Sequence, residues 1–183
     1  MKKSMLSLIA IAGLLMLFSR GNSWAAETDT MNITVTVATP LSVDITGDPY
    51  AFGTRAAEIT TVSTRAITVT NDSGGRTEDY QIKGSNTANW TLAATAAPET
   101  FALFAMLNAA QPAPGDFHAT NDDLTISDQN MDATLFAGDE NGDDVIDTDT
   151  RSLWFRLDTP TSSASQSQQT ITVTITAADA ATF

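Results

Sequence analysis

Two stretches of this chain alternate apolar and polar residues with a period of two, and in both the polar side is mostly threonine. Met31, Ile33, Val35 and Val37 interleave with Asn32, Thr34 and Thr36; Ile171, Val173, Ile175 and Ala177 interleave with Thr170, Thr172, Thr174 and Thr176. Successive side chains of an extended backbone point to opposite faces, so this period describes strands with one dry and one wet face rather than helices. Threonine suits the wet face: its β-branched carbon favours extended backbone and its hydroxyl tolerates water. Between these ends, shorter strands are predicted at 41–45, 66–70, 80–84, 90–95, 101–107 and 152–157. Eight short strands without a long amphipathic helix imply two packed sheets, an all-β sandwich. Ile33, Val35, Val69, Ile82, Leu92, Phe155, Val173 and Ile175 are its expected inward residues.

The connections agree with this reading. Asn71-Asp72-Ser73-Gly74-Gly75 closes one strand and leads to the next, in a loop longer than a minimal hairpin turn. All six prolines fall between predicted strands or at their edges, where a missing backbone donor costs little. The segment 101–107 fits two patterns: Phe101, Leu103, Ala105 and Leu107 form a strand face, whereas Phe101, Phe104 and Met106 or Leu107 form a helical stripe.

The chain opens with Lys2 and Lys3, an apolar run of 14 residues from Met5 to Phe18, a polar stretch, and Ser23-Trp24-Ala25. This is the order of a secretory signal peptide, with small residues three places and one place before a cut after Ala25. The run is shorter than the roughly 20 residues that span a bilayer, so the expectation is a cleaved leader, 1–25, and a single domain, 26–183, with no stable membrane span. The leader carries three of the nine basic residues and no acidic one, which leaves six against 22 and a mature formal charge of −16. So acidic a surface disfavours nucleic acid and anionic membranes and attracts cations. With no cysteine, disulfides and thiolate metal sites are excluded.

The charge is concentrated. Residues 116–149, read as an insertion in the domain, hold 11 of the 22 acidic side chains and no Lys or Arg. Within them, 139–149 resembles a calcium loop of the EF-hand or dockerin kind, whose oxygen donors recur at alternate positions. The resemblance implies Ca²⁺ as a structural ion, with side-chain ligands from Asp139, Asn141 and Asp143, the carbonyl of Val145, and Asp147 directly or through water. It departs from that pattern at Asp144, where such loops have glycine, and at Thr150, where they close with a bidentate acid that Asp149 would have to replace. The alternative is a solvated acidic loop.

No catalytic signature accompanies it, and a non-enzymatic protein is expected. His118 stands alone beside Phe117, the serines of 162–165 lack a nucleophile-elbow setting, and the adjacent acids Asp122/Asp123 and Asp143/Asp144 have nothing in sequence to separate their protonation states. Trp154 and Arg156 alternate with Leu153, Phe155 and Leu157 and so face away from them; an outward Trp would stack on a sugar, sit in a subunit interface, or be covered by the loop 158–168. Export signal, threonine-rich strands and absent cysteine together resemble the immunoglobulin-like β-sandwich modules of bacterial cell-surface proteins. That resemblance implies a structural, adhesive or subunit-forming role at the cell surface, in the periplasm or in the medium. Two readings stand: a calcium-stabilised envelope subunit of a surface layer or fibre, self-associating or joined to other envelope proteins, in which 31–37 is an exposed or donated edge strand or else completes its own sandwich; and a carbohydrate-binding or adhesive module using Trp154 or Trp90 on a glycan.

Overall fold

The computed structural model describes residues 40–180, together with Met31, Thr34 and Val35. Residues 1–37 and 38–183 form separate units, and every strand named below belongs to the second. The leader 1–25, Ile33 and Val37 lie outside the described residues. Met31 and Val35 are exposed (82% and 85%), so Val35, expected inward, buries nothing within its own unit.

The architecture is all-β, in two sheets. One contains β1 (Val43–Thr46), β2 (Thr60–Val62), β3 (Ile67–Asn71), β5 (Thr91–Leu92), β6 (Thr100–Leu107) and β8 (Thr150–Asp158), in the order β1-β3-β8-β6-β5, with β2 also on β8. The other is β7 (Gln129–Asn130), β4 (Glu78–Lys83) and β9 (Thr174–Asp179), in the order β7-β4-β9. All pairings between these strands are antiparallel except β5 with β6.

The main core lies between the sheets. Ile67, Val69, Leu103, Leu153 and Phe155 come from the first, Tyr80, Ile82 and Ile175 from the second, and Leu124, Met131, Phe136 and Val145 from loops that close the ends. The ambiguous segment is strand β6, and its buried face carries Phe101, Leu103, Ala105 and Leu107 as the period-two reading requires. Its other face is also covered. Ala102, Phe104 and Met106 join Trp154 and Phe117 in a second apolar cluster outside the sheet. Trp154 does face away from the main core, yet it is only 8% exposed and its indole Nε1 donates to the Asn108 carbonyl at 2.7 Å. Its cover includes Phe117, from the loop after β6.

One side of the sandwich is left unfinished. Among the described residues β1 hydrogen-bonds only to β3 and β9 only to β4, so each is a sheet edge there, and the two edges approach one another without pairing. Val43 and Ile45 on β1, Ala177 on β9, and Ile171 and Val173 just before β9 pack against the core but remain partly exposed. Residues 170–173 keep the alternation without joining a ladder.

Candidate functional site

The acidic loop 139–149 folds down onto the start of β4. Its backbone is tied there by Tyr80 N to Gly142 O (2.8 Å), Glu78 N to Val145 O (2.9 Å) and Val145 N to Glu78 O (2.8 Å). Asn71 at the end of β3 fastens it from the other side. Its amide donates to Val145 O (2.7 Å) and Arg76 O (2.8 Å), while its backbone accepts from Thr148 N (2.8 Å) and donates to Asp149 O (3.0 Å). Gly142 has no room for a side chain, since a Cβ there would lie 2.8 Å from both Cβ and O of Met131.

The expected ligands have varied situations. Asp139 is exposed, and its Oδ1 accepts from Ala109 N at 2.6 Å. Asn141 Oδ1 accepts from Asp143 N (3.2 Å), and its carbonyl accepts from Arg151 Nε (2.8 Å). Asp147 Oδ1 accepts from Gly74 N (2.9 Å), and Asp149 stands 3.6 Å from Arg151 Nη1. Val145 is fully buried and its carbonyl, expected as a ligand, already accepts from Glu78 N and Asn71 Nδ2. Two donors use both lone pairs, so that oxygen serves the fold. Among the described residues, no group of three or more acidic or histidine side chains converges as a metal cage would. One feature of the loop pattern does recur: Asp144, at the glycine position, has φ +51°, the left-handed conformation that glycine supplies in calcium loops.

Beneath this loop lie two acids that the strand pattern does not single out. Glu78 and Asp79 are both fully buried. Glu78 Oε1 accepts from Ser42 N (2.7 Å) and Asp79 Oδ1 from Asp144 N (2.9 Å), whereas Glu78 Oε2 and Asp79 Oδ2 have no hydrogen-bond partner. Burial pushes both carboxyls above their ordinary range. For Asp79 the carboxylate of Asp143 adds to this, lying within hydrogen-bonding reach, and the charge of Asp144 does too. Tyr80 follows, fully buried, its hydroxyl also unpartnered and driven well above the usual phenol range by burial and then by Glu78.

The other polar groups are used structurally. Asp122 is buried, and its Oδ2 accepts from His118 N at 2.6 Å, while the His118 side chain is exposed. Ser163 Oγ accepts from Trp90 Nε1 (2.9 Å) and donates to Glu99 Oε2 (3.0 Å), which ties the half-buried Trp90 to the loop after β8. Compared with known proteins, the chain matches no family model, no curated protein and no solved structure.

Proposed function

We propose that this is an exported structural subunit of a bacterial cell envelope or surface polymer, and that copies join when residues 31–37 of one add a strand to the unfinished side of the next. The supporting observation is a complementarity. A threonine-alternating segment exposes Met31 and Val35 in one unit, while the other unit leaves Val43, Ile45, Ile171, Val173 and Ala177 half-covered between two edges that are unpaired among the described residues. Strand addition would satisfy both, since the edges supply backbone donors and acceptors and the seam supplies pockets for alternate side chains. The leader-like 1–25 supports export, and without cysteine any assembly has to be held without disulfides.

The test compares the mature chain, 26–183, with a form lacking residues 26–37, by size-exclusion chromatography with light scattering and by circular dichroism. The mature chain should form higher-order species as its concentration rises. The truncated form should stay folded and monomeric, and should bind a synthetic peptide of residues 26–37. A mature chain that remains monomeric throughout, or a truncated form that unfolds, would overturn the reading. The sugar-binding alternative has lost its clearest anchor, because Trp154 is inside.

A further inference from the structure

We infer that a divalent, oxygen-seeking cation, Ca²⁺, is held between Asp79 and Asp143, where it bridges strand β4 to the loop that crosses it. Asp79 is fully buried, one of its oxygens accepts from Asp144 N at 2.9 Å, and the other has no partner at all. The side chain that comes against it is a second carboxylate, Asp143, and the next charge is a third, Asp144. The loop is held in this arrangement by backbone bonds to β4 and by the left-handed turn at Asp144 that aims its N–H at Asp79. It is therefore a built feature rather than a chance meeting of surface acids.

Two carboxylates in contact, one of them out of water, repel unless something positive stands between them. Arg151, which lies against this loop, is committed to Asn141 O at 2.8 Å, Thr150 O at 3.0 Å and Asp149 at 3.6 Å. A cation resolves the conflict. Oxygen-only donors select Ca²⁺ over zinc or copper, and a chain carrying 22 acidic residues draws cations to its surface. Water would complete the shell from the side of Asp143, which is only half-buried. This site differs from the one the loop pattern suggests: it takes Asp79 from β4 and dispenses with Asp139 and the Val145 carbonyl. With two carboxylates its affinity belongs in the weak extracellular range, Kd on the order of 10⁻⁴–10⁻³ M. It does not depend on strand exchange between copies.

The experiment is calorimetric titration of the chelator-treated mature chain with CaCl₂, alongside thermal unfolding with and without the ion, for wild type, Asp79→Asn, Asp143→Asn and Asp139→Asn. Wild type should bind with millimolar or tighter affinity and its Tm should rise with calcium, because an ion that binds only the folded form stabilises it by mass action. Asp79→Asn and Asp143→Asn should each weaken binding by about tenfold or more, while Asp139→Asn binds as wild type does. Asp143 is half-buried, so its variant decides the matter even if Asp79→Asn fails to fold. Absence of heat and of any Tm shift in wild type at about 10 mM calcium would overturn the proposal in favour of a proton shared by the pair. Loss of binding in Asp139→Asn alone would overturn it in favour of an ion in the first turn of the loop.

Discussion

The chain has two tyrosines, and the same substitution should move stability in opposite directions at each. Tyr80 is 0% exposed and its hydroxyl has no hydrogen-bond partner. Its N–H and carbonyl are held by Gly142 O and Met131 N, each at 2.8 Å, and the ring between the sheets is closed off from the water that would solvate the hydroxyl. A buried, unsatisfied hydroxyl costs about 1–3 kcal/mol. Tyr80→Phe removes the oxygen and keeps the ring, which opens no cavity that the packing would register. The variant should gain stability of that order, a rise in Tm of about 2–4 °C for each kcal/mol in a domain of this size. Tyr50 is the control. Its hydroxyl accepts from Thr64 N at 2.9 Å and shares a second bond with Thr64 Oγ1 at 3.3 Å. There Tyr→Phe should lose about 0.5–1.5 kcal/mol. Urea unfolding followed by tryptophan fluorescence, supported by calorimetry, measures both. If Tyr80→Phe is destabilised like the control, its hydroxyl is bonded to a buried water or to Glu78, and the reasoning from an orphaned oxygen fails.

Two further outcomes are expected. Asn71→Ala should lose about 2–3 kcal/mol in the same unfolding assay, because a fully buried amide gives up bonds to Arg76 O and Val145 O and leaves Ser73 N, which it holds at 3.0 Å, without an acceptor. Asp122 gives a pH signature: burial raises its carboxyl above the ordinary 3.8, so the folded state keeps the proton to higher pH than the unfolded one. Stability should then fall as pH rises from the ordinary aspartate value through the raised one, and Asp122→Asn should flatten that part of the profile relative to wild type when unfolding midpoints are compared across the acid range.

Much of the strand layout was legible because one face of each strand meets the core. β3, β6, β8 and the start of β9 declare themselves through Val69, Leu103, Phe155 and Ile175, whose neighbours in sequence point the other way. The alternation could not say what covers the second face of β6 and β8. Trp154 was assigned correctly to the side opposite Leu153 and Phe155, but the cluster that buries it is built with Phe117, some forty residues earlier, and no local pattern encodes that contact. β2 and β7 are too short, at three and two residues, to show a period. At the acidic loop, spacing marked the right segment and missed its partner. Asp79 sits just before the stretch read as a strand, where an acid looks solvent-facing, and only the fold reveals that 142–145 closes over it.

The placement of β8 bears on the order in which such a chain could fold. Among the described residues Thr150–Asp158 is the only strand paired with β2, stands between β3 and β6, and carries the first sheet through its centre. Thr60 finds its ladder partner in Asp158, so closure must wait for nearly a hundred intervening residues, the kind of distant pairing that makes folding slow. Until that strand arrives, β1 can pair with β3 and β5 with β6, but nothing joins these two halves of the first sheet. Lateness of this central strand makes its arrival the step that joins the separate strand pairs into one sheet.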